Sequence, residues 1–321
     1  MEPLISILIP TQGRLPQLAR LLEGLALMED REQIPHEIIV ANNAPDERTA
    51  AAVEALVQKY TACEPDRWVH AREPLPGKSR ALNQAIPVAK ANILGFIDDD
   101  VEVAPNWLAV TWRFFQDYPY DVKQGSILIP RAMQDDQEFL RLLNRYRTIC
   151  YYSKPGMEVR QIVSLNAANM ALRRELLELT GLFDERIGPG ASGTSMDVEF
   201  GERVLKVGGR IGYEPRSVVY HDIDWSRLTE AYFKRRHQLQ GRSRLIYKQS
   251  GASSTLGNLL RAWAGFCFYS VLRNERKIYR AKGRIYHYGA MLQALMYKRG
   301  RMPSPPSHPA VSLPVIKSKT S

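Results

Sequence analysis

Short, almost wholly apolar runs alternate with amphipathic stretches along most of the chain, and this alternation constrains the fold more than any other feature. Residues 4–9, 37–41 and 93–97 have strand length, and the last has the β-branched content of a buried strand. Helical patterns over 15–28, 46–60 and 79–89 lie between them. Strands buried on both faces read as continuous apolar runs, and strand–helix units of this length predict an α/β fold with a mostly parallel sheet and crossover helices. Pro105 suits the first turn of a helix reaching Gln116, followed by a strand over 122–129. Phe139, Leu142, Leu143, Tyr146 and Ile149 keep helical spacing within 136–152. A strand near 162–165, helices at 174–180 and 197–207, and a strand within 211–220 complete the pattern.

The first strand pattern runs out at Pro10-Thr11, the second at Asn42-Asn43 and the third at Asp98-Asp99-Asp100. In a parallel sheet these ends share one edge, where open α/β sheets bind ligands. Strand alternation directs Asp98 and Asp100 to one side and Asp99 to the other. Like charges on one side repel unless something positive lies between them. Carboxylate oxygens suit Mg²⁺ or Mn²⁺, with phosphate oxygens completing the shell. Taken alone, the triplet is also compatible with a solvated acidic turn. No G-x-G-x-x-G follows the first strand and no G-x-x-x-x-G-K-[ST] occurs, which disfavours a dinucleotide enzyme or a P-loop NTPase.

The 321 residues, 45% hydrophobic, suffice for one large domain and a smaller piece. Cys63, Cys150 and Cys267 are too scattered for a disulfide framework or zinc cluster, which fits a reducing cytoplasm, and the immediate strand pattern predicts no signal peptide. The net charge of +10 is uneven: residues 227–321 hold 19 Lys/Arg and 2 Asp/Glu, whereas 1–226 hold 25 and 32. We therefore expect a catalytic-type domain over 1–225, a basic helical region over 226–302 and a disordered Pro/Ser-rich tail over 303–321. The apolar stretch 256–272 is short for a membrane span and contains Arg261. With Trp263, Phe266, Phe268 and Tyr269 flanked by Arg273, Arg276, Lys277, Arg280, Lys282 and Arg284, it suits an interfacial helix at an anionic membrane surface. A helix packed on the enzyme, or a dimer contact, is the other reading. No nucleic-acid-binding module is recognisable, so the expected location is the cytoplasmic face of the membrane.

SILIPTQGR (6–14), EIIVANNAP (37–45), PGKSRALNQAI (76–86) and FIDDD (96–100) resemble the nucleotide-binding half of family-two glycosyltransferases of the GT-A fold. NAANMALRRELLELTGLFDERIG (166–188) and MDVEFGERVLKVGGRIGYEPRSVVYH (196–221) resemble that family's donor-sugar segment and its catalytic helix with the closing strand. The resemblance implies inverting transfer of a sugar from a nucleotide-sugar to a hydroxyl of a glycan or lipid-linked acceptor, assisted by Mn²⁺ or Mg²⁺. It implies that Asp98, the first acid of the DXD motif, lies near ribose and metal, that Asp100 ligates the metal, and that His221 completes the site. Asp197 matches the general base. Pro10, Thr11, Gln12, Arg14, Asn42, Asn43, Lys78, Arg80, Asp99 and Asn169 match the nucleotide- and donor-binding positions.

For several of these residues a plainer reading stands beside the functional one: an N-cap for Asp197, a sheet-edge histidine for His221, solvated charges for Lys78 and Arg80, a turn for Asn169. Asp99 faces away on the alternation argument and suits a structural role. A helix N-terminus would keep Asp197 ionised. Arg235, Arg236 and His237 could grip a diphosphate, Arg173 and Arg174 read as solvated helix charges, and Glu199 and Arg203 as an i, i+4 pair. The chain departs from the family at Met196, where an acid is usual, at Asn42-Asn43, where aspartates often contact the base, and at Gln12-Gly13, in place of an aromatic-Asn pair. The amides of Asn42 and Asn43 no longer demand the N–H donor of uracil, which puts uridine specificity in doubt. A catalytically idle membrane-tethered subunit and a sugar-nucleotide pyrophosphorylase are the competing readings. The latter wants a Gly-rich basic loop after the first strand, which PTQGR matches poorly.

Overall fold

The computed structural model describes residues 2–149, 153, 158–221 and 223–298. Strands β1 (Ile5–Thr11), β2 (His36–Asn42), β3 (Trp68–Arg72) and β4 (Ile93–Ile97) run parallel in the order β3-β2-β1-β4. Beyond β4 the direction changes. A strand at Asn169–Arg173 (β8) lies antiparallel to β4 and to Val122–Leu128 (β6), and β6 is parallel to Ile211–His221 (β9). β5 (Val101–Val103) and β7 (Arg160–Ile162) pair antiparallel with β9.

Every residue of β1, β2 and β4 is buried, as continuous apolar runs require. Side-chain parity divides the core. Ile7, Ile9, Ile38 and Val40 face α1 (Leu15–Ala26), α2 (Glu47–Thr61) and α4 (Trp107–Asp117). Leu8, Ile39, Ala41, Leu94 and Phe96 face α3 (Lys78–Ala85), α6 (Leu176–Thr180) and α7 (Met196–Lys206). The result is the expected α/β architecture, a sheet between two helical layers. α1 buries Leu18, Leu21, Leu22 and Leu25 at helical spacing, and Asp46 caps α2 by accepting the Thr49 N–H at 2.9 Å.

Three strands fall outside the sequence reading. β3 carries His70 and Arg72, β5 has 3 residues, and β8 begins on Asn169 and ends on Arg173, so none is an apolar run. α4 starts at Trp107, not at Pro105, which lies in the preceding turn closed by the Trp107 N–H on Ala104 O at 2.9 Å. The helix expected over 136–152 is α5 (Gln137–Arg145), capped by Asp136, with 150–152 outside the described residues. Arg173 and Arg174 are not solvated helix charges. Arg173 donates to Phe115 O and Tyr120 O, and Arg174 to Ile86 O, Ala89 O and Ala91 O, stapling loops to the sheet.

After β9 come a 3-10 turn at Trp225–Arg227 and the α-helices α8 (Glu230–Tyr247), α9 (Ala252–Val271) and α10 (Glu275–Lys298). Phe139, Leu143 and Tyr146 of α5 and its C-terminal turn share an apolar cluster with Ile223, Leu228 and Phe233, against which Tyr279 and Tyr286 of α10 pack. Among the described residues no helix is long and apolar enough to cross a membrane. The expected tail, 303–321, lies outside the described residues.

Candidate active site

A cleft of about 470 Å³ opens at the carboxyl ends of β1 and β4, walled by α7 and α8. Pro10, Thr11, Gln12, Arg14, Asn43, Lys78, Asp98, Asp99, Asp100, Asp197 and His221 all line it. Parallel register accounts for the meeting of the first strand ends, because β1 pairs with β4 from Ile5 opposite Ile93. His221 arrives from the far side of the sheet: β5 pairs with β9 so that Val101 faces His221, which puts the imidazole beside Asp100.

The three acids are held differently from the expected alternation. β4 ends at Ile97 and the chain turns at Asp99-Asp100, so strand parity no longer governs them. Asp99 and Asp100 both take Arg14, the second at 2.6 Å, and Asp98 pairs with Lys78. Asp99 is not turned away from the site; it lines the cleft and accepts the Thr11 hydroxyl at 2.6 Å. Burial pushes the Asp99 carboxyl up, against the pull of Arg14 and Thr11. Burial also pushes Asp100 up, but His221, Arg14 and Arg227 outweigh it and hold Asp100 below the usual carboxylate range.

Asp197 is reached through a loop in which Gly188, Gly190 and Gly193 have positive φ. Gly190 is required by close approach: a Cβ there would lie 2.7 Å from Gly77 N and 2.8 Å from Gly77 Cα. The loop is fastened to α3 by the Lys78 N–H on Pro189 O at 2.9 Å and Ser79 Oγ on Ile187 O at 2.7 Å. Ser195, itself left-handed at φ 75°, precedes α7, so Asp197 lies inside the first turn and is not the cap. Asp197 Oδ1 accepts the Val198 N–H at 2.9 Å. The helix start does not hold this carboxyl down. Burial raises it above the ordinary aspartate value, against the opposing effects of Lys78, the Val198 N–H and Arg236. The i, i+4 pair Glu199–Arg203 forms at 2.6 Å.

Asp100 and His221 are the two donors that a divalent cation would meet here. Asp100 Oδ1 is buried without a hydrogen-bond partner, and His221 Nε2 is 3.5 Å from it. Asp98, expected to share the metal, is engaged by Lys78. Among the described residues no cluster of three or more His, Cys, Asp or Glu has metal-binding geometry. The donor set therefore fits an ion that takes its remaining ligands from a diphosphate and water, as Mg²⁺ and Mn²⁺ do.

Three of the expected nucleotide- and donor-binding residues do not line the cleft, and neither do Arg235 and His237. Asn42 is fully buried, donating to Ala50 O at 2.9 Å and lying 2.9 Å from His70 Nε2. Arg80 pairs with Glu185 at 3.0 Å. Asn169 is buried at the sheet centre, where its amide donates to Ser126 O and Ser217 O at 2.9 and 2.8 Å and its oxygen accepts Trp107 Nε1 at 2.9 Å. Gly125 leaves the room for it, since a Cβ there would lie 2.2 Å from Asn169 Nδ2. Asn43 lines the cleft, yet its carboxamide is taken up by Gly77 N, Glu73 O and Leu75 O. His237 is buried against Gly283, away from the cleft, with Nε2 2.8 Å from Thr148 Oγ1. Arg227, Tyr232 and Asn166 line the cleft and were not anticipated; Arg227 lies 3.4 Å from Asp100 Oδ2. Arg227 opens the basic segment in the sequence, which was the available signal.

Residues 6–180 match the model of Glycosyl transferase family 2. The succinoglycan biosynthesis protein ExoM of Rhizobium meliloti (strain 1021) is 26% identical over 282 residues, covering 84% of this chain and 86% of that protein. The β-monoglucosyldiacylglycerol synthase of Trichormus variabilis is 24% identical over 136 residues, 42% of this chain and 28% of that protein. Among solved structures, the mannosyltransferase PcManGT of Pyrobaculum calidifontis, in complex with GDP-Man and Mn²⁺, superposes with a TM-score of 0.55 at 17% identity, covering 95% of this chain and 77% of that one. With the parallel strands, the acids that follow β4 and the cleft at the strands' carboxyl ends, the family match leads to one conclusion: the chain belongs to glycosyl transferase family 2 and is a glycosyltransferase.

Proposed function

We propose that the chain transfers a sugar, with inversion, from a nucleotide-sugar to a hydroxyl of a glycan or lipid-linked acceptor at an anionic membrane surface. The observation that carries this reading is the meeting of Asp98, Asp99, Asp100, Lys78, His221 and Asp197 in one cleft. Asp197 accepts the acceptor hydroxyl proton as the hydroxyl oxygen bonds to the anomeric carbon and the bond to the diphosphate oxygen breaks. Asp98, which shares the cleft with Asp197, is held by Lys78, and a single base suits one displacement, hence inversion. In this reading Asp98 takes the ribose, Thr11 and Gln12 the base, and Lys78, Arg227 and Arg236 the departing diphosphate; what supports it is that all of them line the cleft. Asp100 and His221 would hold Mn²⁺ or Mg²⁺, which would supply Lewis-acid charge for the leaving group.

The relatives support the acceptor and metal classes: one is named for succinoglycan biosynthesis, another for β-monoglucosyldiacylglycerol synthesis, and the mannosyltransferase is in complex with GDP-Man and Mn²⁺. The excess of 19 basic over 2 acidic residues from 227 onward supports the membrane surface. The test is transfer or donor hydrolysis across a panel of nucleotide-sugars, with Mn²⁺ or Mg²⁺ and with a chelator. Asp100→Ala and Asp197→Ala should each abolish turnover; wild-type rates in either variant would refute the mechanism.

A further inference from the structure

We propose that α9 and α10 form an interfacial anchor whose groove binds the phosphate of an anionic phospholipid. The proposal rests on the membrane reading above and names the site that makes the contact. α9 leaves Leu256, Leu260, Trp263, Phe268 and Val271, with Leu272 at its C-cap, between 44% and 82% exposed. Their spacing keeps to one side of the helix, while Thr255 and Ala262 turn inward and are buried. Fully burying one such side chain contributes about 1.5–3 kcal/mol, so a stripe of this size in water is a standing incentive to find an apolar partner.

Beside the stripe, a groove of about 220 Å³ runs between the two helices, lined by Arg261, Tyr269, Lys277, Arg280 and Arg284. No carboxylate lines it, and none of these four cations forms an ion pair among the described residues. Lys277 Nζ lies 5.0 Å over the Tyr269 ring. Four like charges around so small a space call for an anion, and guanidinium forks match phosphate oxygens. A second copy of the chain could cover the stripe but would bring the same cations and leave the groove uncompensated. A phospholipid supplies both halves: phosphate for the groove and the acyl boundary for the stripe, with Trp263 and Tyr269 at the level aromatic rings favour. Because α8 packs on α10 and lines the cleft through Tyr232 and Arg236, the anchor also fixes the cleft relative to the membrane.

The full chain is floated with vesicles of phosphatidylcholine alone, with phosphatidylglycerol added, and with oleate added to equal surface charge. We expect binding to the phosphatidylglycerol vesicles, weaker binding with oleate and none with phosphatidylcholine alone. R280E/R284E should weaken binding roughly tenfold or more. The charge-matched R242E/R276E, outside the groove, should lose much less. Brominated acyl chains should quench Trp263, a signal absent in W263F. Equal losses in the two double variants would overturn the groove while leaving the membrane reading standing. Wild-type protein that floats with no vesicle would overturn both. A light-scattering dimer that F268S converts to monomer, without any change in flotation, would assign the stripe to a second copy and overturn the anchor. Unchanged melting of each variant excludes misfolding as the cause of any loss.

Discussion

At the scale of single residues, the site is defined by which cation each acid receives. Asp197 lies in the first turn of α7 with its carboxyl raised by burial. A base must be unprotonated, so kcat/KM should rise with pH and level off only above the range of an ordinary aspartate; a pH–rate profile checks this. Lys78 opposes the rise, so Lys78→Met should move that acidic limb to higher pH. Asp197→Asn should lower kcat by about 10²–10⁴-fold with nucleotide affinity retained in calorimetry. Arg14 bridges Asp99, which is 1% exposed, and Asp100. Arg14→Met leaves Asp99 without its cation and should cost about 3 kcal/mol in urea unfolding, the low end for a buried pair because the guanidinium is half in solvent. The sequence brought Asp98, Asp100, Lys78 and Asp197 to the cleft because each lies where a regular element ends or opens, but it turned Asp99 away because the strand parity it assumed stops at Ile97. Asn42 and Asn169 turn into the sheet and Arg80 pairs with Glu185 at the surface, because a polar side chain at a strand end or first helical turn has the same local pattern whichever way it points.

At the scale of elements, the C-terminal helices are joined by close contacts that periodicity does not reveal. Gly283 of α10 faces the ring of His237 on α8, where a Cβ would meet Nε2 at 2.4 Å, and Gly241 faces His287 O, where it would meet the oxygen at 2.3 Å. Gly283→Ala should therefore destabilise the α8–α10 packing by about 1–3 kcal/mol, read as a lower melting temperature. His237 and His287 are pushed down to about 4 by burial, with His287 and Arg236 adding to the effect on His237 and Arg244 on His287. Below their ordinary value of 6.5 the unfolded chain binds protons that the folded chain refuses. Stability should thus fall as pH drops from 6.5 toward about 4, by up to about 3 kcal/mol per histidine, and flatten below that. His237→Gln should shallow the slope in pH-dependent unfolding.

At the scale of the whole molecule, the cleft is assembled from segments far apart in sequence: the ends of β1 and β4, the start of α7, the end of β9 and the first turns of α8. A nucleoside diphosphate with Mn²⁺ should slow amide exchange at 10–14, 98–100, 195–198 and 227–236 together and raise the melting temperature, and chelation should reverse both. Protection confined to the strand ends would exclude α8 from the donor site. Lys123 marks the same long-range assembly. It is fully buried at the sheet centre, donating to Ser217 Oγ at 2.6 Å and Thr111 Oγ1 at 2.8 Å over the Trp107 ring, with burial lowering its ammonium to about 7. Nothing in the local pattern of β6 signals a lysine in the core.

The sequence by itself determined the strand–helix alternation, the parallel half of the sheet, the acid-ended strand and the charge division near residue 226, because these follow from local periodicity and composition. Only the tertiary structure decided the antiparallel insertion of β8, the approach of His221 to Asp100 through the β5–β9 pairing, the shared hold of Arg14 on two acids and the docking of α8 over the cleft. Those depend on which distant segments pack together. A one-residue register, a glycine that admits a neighbour or a buried counter-charge settles them, and none of these is written in the period of any single segment.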